Sequence, residues 1–217
     1  GEDINAAMDR AAGMEKKGFT YSYDMLGEAA RTEADAKRYH LSYSRAISAI
    51  ATACTDADIR RNPGISVKLS ALHPRFEVSQ RERVMRELVP RVRDLALACK
   101  HAGMGLNIDA EEADRLELTL DVFEAVARDP RLSGWDGFGT VVQAYGPRAT
   151  AAISWSGPSM MAVSTAHCEM RSSGTGMTDA TRCWTSTCRV HARCASFTAT
   201  NARWLVSLSS LRRRRCC

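Results

Sequence analysis

Scarcity in these 217 residues removes several classes of protein. No apolar run approaches the roughly 20 residues that a membrane-crossing helix needs, and no signal-peptide pattern opens at Gly1. Only Cys54 and Cys99 precede residue 148, although the chain has eight cysteines. Two scattered thiols suit a reducing cytoplasm and offer no disulfide framework. A peripheral membrane contact stays open. From residue 149 onward the chain has no Lys and no Tyr, and Glu169 and Asp179 are the only acids against nine Arg. The overall charge of +5 therefore divides into about +7 after residue 148 and about −2 before it. An acidic segment, 1–148, is joined to a segment rich in Arg, Ser, Thr and Cys, 149–217.

What the first segment does contain is a repeated unit. Four apolar runs, "GFTYSYDMLGE" (18–28), "GISVKLSAL" (64–72), "GMGLNIDAEE" (103–112) and "GFGTVVQAY" (137–145), each begin at Gly and turn polar at their ends. That is the pattern of buried parallel strands. Helical stretches separate them. Thr32-Glu33-Ala34-Asp35 resembles a capping box ahead of Tyr39, Tyr43, Ala46, Ile47 and Ile50 at helical spacing. Ser79 with Glu82 predicts a second start, before Val84, Leu88, Val92 and Leu95, with Pro90 interrupting the stripe. Leu116, Leu120, Phe123 and Val126 mark a third helix, ending near Asp129-Pro130. Strand and helix alternate as in βα units, so the expected fold is α/β: about the first four units of a (βα)8 barrel, half of the closed structure. Periodicity alone leaves an open doubly wound sheet as an alternative.

Asp24, Lys68, Asp109 and Gln143 each stand where an apolar run finishes, and the C-terminal rim of an α/β barrel is where chemistry is placed. Strand-end polar groups also cap loops, but four in register favour a site. A Lys in such a place must be paired or hold an anion, so with Asp24 or Asp109 beside it the cluster could orient a zwitterion or a cofactor. His73, before Pro74, reads as a loop residue, Tyr145 as a packing residue, and Cys54 and Cys99 as core thiols.

The motifs "YSYDMLGEAA" (21–30), "GISVKLSALHPRFE" (64–77), "NIDAEEADRLE" (107–117) and "GWDGFGTVVQAY" (134–145) resemble the proline dehydrogenase domain of bifunctional bacterial proline utilization A flavoenzymes, over about residues 17–147. The resemblance implies a distorted (βα)8 barrel holding FAD, hydride transfer from C5 of L-proline to give Δ1-pyrroline-5-carboxylate, and electron delivery to membrane quinone by a cytoplasmic enzyme peripherally associated with the inner membrane. By motif, Lys68 would help bind the proline carboxylate, with Asp24 near the substrate in a charged network with Glu28. Glu28 is equally open to a surface pairing. Asp109 and Ala110 would line the flavin, and Val141 and Gln143 would pack and hydrogen-bond near its ring.

After Pro147 the family pattern stops, and the composition of 149–217 suggests an out-of-frame tail, non-native or disordered. Read from the third codon base, Gly174–Met177 and Cys183–Thr187 permit residues that the family carries. The expected product is a fragment without turnover. Two other readings of the tail compete. Cys183, Cys188, His191 and Cys194 offer zinc-binding atoms at no common spacing, and "LRRRRCC" (211–217) could meet nucleic acid through phosphate charge, without aromatic interleaving. The first segment predicts no nucleic-acid contact. A class I aldolase-like barrel, with Lys68 forming a Schiff base, is the rival enzyme.

Overall fold

A computed structural model describes residues 3–143. Four short strands, β1 (Ser22–Asp24), β2 (Gly64–Val67), β3 (Leu106–Ile108) and β4 (Phe138–Thr140), form one parallel sheet in the order β1-β2-β3-β4. The helices are α1 (Ile4–Glu15), α2 (Glu33–Ala51), α3 (Leu69–Leu72), α4 (Arg81–Ala102) and α5 (Leu116–Ala127).

The strand order decides between the two α/β architectures. A doubly wound sheet reverses direction at a switch point, whereas this one runs 1-2-3-4 without reversal. Right-handed crossovers then place every connecting helix on the same face. Accordingly α2 packs on α4 and α4 on α5, side by side across the sheet. This is the arrangement of consecutive units in a (βα)8 barrel. Three units are complete among the described residues, and β4 supplies the fourth strand. Residues 144–217, with Tyr145, the four candidate zinc ligands and the Arg-rich end, lie outside the described residues.

The strands are shorter than the apolar runs, for a local reason. After Val67 the run 64–72 turns at Lys68 into α3, so Leu69 and Leu72 are buried from a helix instead of a strand. A short apolar run does not distinguish these outcomes. Thr32 caps α2 as expected: its hydroxyl accepts from Asp35 N at 3.1 Å while Asp35 Oδ2 accepts from Thr32 N at 3.0 Å. Ser79 does not cap α4. The chain makes a 3-10 turn over Val78–Gln80, and the helix opens at Arg81 after Gln80, without a side-chain cap. Glu82 is thus one residue too early for a capping box.

Helix α4 runs unbroken through Pro90. A helix-interior proline costs about 3 kcal/mol, and each large aliphatic side chain removed from water returns roughly 1.5–3 kcal/mol. The stripe Val84, Leu88, Val92, Leu95 and Cys99 is buried, so packing outweighs the proline. Helix α1 was not legible in the strand-helix rhythm. Asp3 caps it by accepting from Ala6 N at 2.9 Å, and α1 packs against α2.

The pleat sorts the sheet into two faces. Tyr23, Ile65, Val67, Leu106, Ile108 and Phe138 are buried towards the helices, while Ser22, Asp24, Ser66 and Asn107 alternate with them on the other face. Ser22 and Ser66 meet hydroxyl to hydroxyl at 3.0 Å on that face. The strands therefore alternate apolar and polar instead of being apolar throughout. In a (βα)8 barrel, the face turned away from the helices is the interior.

Candidate active site

Continuing the pleat past each strand places Asp24, Lys68, Asp109 and Val141 on the polar face at the C-terminal rim. The register makes this necessary: Asp24 pairs with Ser66, Ser66 with Asn107 and Asn107 with Gly139, and Lys68, Asp109 and Val141 each lie two residues further along. Asp109 N donates to Val67 O at 2.9 Å and Val141 N to Ile108 O at 2.8 Å, which carries the ladder up to the rim. Val142 points the other way, packed with Leu116 and Leu120 of α5.

The centre of the rim is a clamp. Lys68 Nζ donates to Asp24 Oδ1 and Oδ2 at 2.7 and 2.8 Å and lies 2.9 Å from Asp109 Oδ2. Burial of the ammonium opposes its charge, but hydrogen bonds and Coulomb attraction from the two carboxylates win, and the Lys68 pKa is raised well above the usual lysine value. One cation and two anions leave the cluster with one net negative charge. The two aspartates differ in how firmly they are held. Asp109 Oδ1 also accepts from Ala110 N at 3.0 Å and its side chain is 28% exposed; Asp24 is 49% exposed. Asp24 is therefore the partner that an incoming anion displaces more easily.

The backbone beneath the clamp is fixed by residues that the sequence did not single out as part of the site. Tyr43, fully buried in α2, accepts from Lys68 N through its hydroxyl at 3.2 Å. Burial pushes its phenol up to about 12, with Lys68 opposing, so Tyr43 stays protonated and serves as a support. Its helical spacing marked it as core, and nothing in the sequence showed that its hydroxyl reaches the turn after β2. Ser70 and Glu111 join the rim loops: Ser70 N donates to Glu111 Oε1 at 3.0 Å. Burial raises the Glu111 pKa, and the hydrogen bonds from Ser70 counter it.

Glu28 is not drawn into the clamp. It is exposed and makes no hydrogen bond or ion pair with the described residues. Gln143 is half-buried, and its carboxamide likewise has no partner among them. His73 is a loop residue as expected, the C-cap of α3, and it is buried. Its Nδ1 accepts from Arg75 N at 3.1 Å and its Nε2 faces Glu87 Oε2 at 3.2 Å, which requires the neutral ring with the proton on Nε2. No cluster among the described residues has the composition of a metal site, and none of their helices is long and apolar enough to cross a membrane.

The raised Lys68 pKa weighs against Schiff-base chemistry. An aldolase-type lysine must lose its proton to attack a carbonyl, usually through a lowered pKa. A lysine ion-paired to two carboxylates is held in the opposite state.

Residues 7–159 match the proline dehydrogenase family. The chain is 53% identical over 155 residues to the bifunctional protein PutA of Salmonella typhimurium, an alignment covering 71% of this chain and 12% of that protein. Against the bifunctional protein PutA of Rhizobium meliloti it is 57% identical over 148 residues, covering 68% and 12%. The chain thus spans about one eighth of the length of these relatives. A crystal structure of a proline utilization A variant from Bradyrhizobium japonicum superposes with a TM-score of 0.63 at 52% identity, covering 71% of this chain and 16% of that one. Proline utilization A from Bdellovibrio bacteriovorus superposes at 0.66 with 24% identity, covering 70% and 17%, a likeness of fold alone. By the extent of the family match and the level of identity, the chain belongs to the proline dehydrogenase family.

Proposed function

We propose that this chain supplies the first half of an FAD-dependent proline dehydrogenase site, which oxidises L-proline to Δ1-pyrroline-5-carboxylate in proline catabolism. The observation that carries the reading is the clamp of Lys68 between Asp24 and Asp109 on the polar rim. A zwitterionic amino acid needs a cation for its carboxylate and an anion for its nitrogen, a fixed distance apart. Lys68 supplies the first. Its donors are occupied by the aspartates, so the substrate carboxylate takes the place of Asp24, the more exposed partner. Asp24, released, is then the nearest acid to the substrate nitrogen and holds it over the rim. Asp109 keeps Lys68 in position throughout, because its own second oxygen is tied to Ala110 N.

The neighbouring residues fit a flavin ring. Such a ring needs an apolar contact and an amide group for its polar edge; Val141 offers the first, and Gln143, two residues on, has a carboxamide without a partner among the described residues. Asp109 and Ala110 line the same rim. When bound, a flavin would supply the hydride acceptor for C5 of the substrate, whose uncharged ring nitrogen would then release its proton to solvent to leave the imine. The protein's part is to hold C5 at one distance and angle; such positioning contributes several kcal/mol of a reaction barrier. In the larger protein the electrons pass on to membrane quinone, with the enzyme cytoplasmic and peripherally attached to the inner membrane. Residues 1–148 are the N-terminal half of the barrel in this reading and 149–217 an out-of-frame tail that adds nothing to the site, although the family match runs on to residue 159.

The test is an exchange. Residues 7–143 are substituted for the matching segment of the full-length Salmonella protein, and proline-dependent dye reduction is measured. The expected result is turnover, with Lys68→Met raising KM for proline at least tenfold, while the 217-residue chain alone gives none. A folded, yellow chimera that ignores proline, or one indifferent to Lys68→Met, would overturn the reading.

A further inference from the structure

The loop after β1 carries Glu28 between two anchors. On one side Gly27 has φ of +126°, and a Cβ there would lie 2.5 Å from Tyr39 Cε1. On the other, Ala29 has φ of 55°, the one non-glycine residue in the left-handed region among the described residues. An L-residue with a Cβ adopts that region only when its surroundings impose it. The imposing group is Ser70, 4% exposed, in α3. Its Oγ accepts from Ala29 N at 3.1 Å and its carbonyl accepts from Ala30 N at 2.9 Å, so two consecutive amides of the loop dock on one residue. Ser70 is held in turn by Glu111, which accepts from Ser70 N at 3.0 Å and from the Leu69 amide. Three rim loops, those after β1, β2 and β3, are joined through one serine.

The geometry assigns Ser70 and Glu111 to a positioning pair: they hold Ala29 left-handed and so fix where the loop after β1 presents Glu28, which has no partner among the described residues. The functional weight of that placement rests on the reading proposed above; the mechanical statement does not. Without the Ser70 hydroxyl, the Ala29 amide loses its acceptor and the backbone relaxes to a right-handed or extended conformation, which swings residue 28 away from its present place. Glu111 matters as an acceptor, not as a charge, because its donors, the Ser70 hydroxyl and the Ser70 and Leu69 amides, are all neutral.

That distinction gives the experiment a rescue arm. Amide hydrogen exchange is followed at Ala29 and Ala30 in the whole 217-residue chain, without flavin or proline, for Ser70→Ala, Glu111→Ala and Glu111→Gln. Loss of one hydrogen bond accelerates local exchange by roughly fivefold to tenfold. Ser70→Ala and Glu111→Ala are expected to accelerate Ala29 and Ala30 by that factor while the amides of α2 and α4 keep their rates. Glu111→Gln, which retains a carbonyl acceptor, should exchange at the original rate. The proposal is overturned if Ser70→Ala leaves both amides unchanged, if the α2 and α4 amides accelerate equally, or if Glu111→Gln behaves like Glu111→Ala. Because no step uses flavin or proline, an inactive chimera would sink the catalytic reading and leave this result standing.

Discussion

Replacing Lys68 with Met keeps most of the side chain's bulk and removes its charge, which exposes what the clamp contributes to stability. Both carboxylates lie within 2.9 Å of the same nitrogen, so in the variant their oxygens stand less than about 6 Å apart with nothing between them. At an effective dielectric of about 20 that repulsion is roughly 3 kcal/mol. Asp24 is half exposed, and solvent screening reduces the figure to about 1–1.5 kcal/mol. Adding the lost attraction, Lys68→Met should lower the unfolding free energy by roughly 1–3 kcal/mol, read by urea denaturation with far-UV circular dichroism. The sharper result is a change of sign. Asp24→Asn removes an attraction in the original chain and costs up to about 1 kcal/mol, but it removes a repulsion in the Lys68→Met background and restores about that much. The Lys68 pKa is raised in the fold, so its contribution is complete below the ordinary lysine value of about 10.4 and fades only as pH climbs through the folded value. The penalty should therefore be flat from about pH 6 to about pH 9. If Asp24→Asn destabilises both backgrounds alike, Asp24 and Asp109 are not coupled through Lys68 and the clamp is wrong.

Gly27→Ala should lower Tm by roughly 5–10 °C in a thermal melt, because the new Cβ adopts an unfavourable φ and overlaps the Tyr39 ring; an unchanged Tm would mean that the loop is not seated as described. Burial lowers the His73 pKa, with Glu87 opposing, so the unfolded chain binds the proton more readily. Stability from His73 is thus present above the ordinary value of about 6.5 and lost as pH falls through the folded value. His73→Asn should be less sensitive to acid than the original chain over that range in urea titrations, and an equal slope would show that His73 is not buried neutral.

Much of this arrangement was written in the sequence. The 3.6-residue spacing of Tyr43, Ala46, Ile47 and Ile50, and of Val84, Leu88, Val92 and Leu95, determined the inner faces of α2 and α4, since hydrophobic burial acts on whichever stripe is apolar. Thr32 with Asp35 set a helix start, because a capping box is closed by atoms three residues apart. Runs ending in Asp24, Lys68 and Asp109 put three charges at strand ends. What local sequence could not decide was whether those strand ends meet. Lys68 and Asp24 are 44 residues apart in the chain, and only the parallel register and its unreversed order bring them to one rim. The same holds for Tyr43 beneath Lys68 and for Ser70 under Ala29: a hydroxyl has no periodicity to betray its partner. Glu28 remained ambiguous for the converse reason, since its place depends on a left-handed turn at an alanine, a conformation that no local preference favours and only tertiary hydrogen bonds impose.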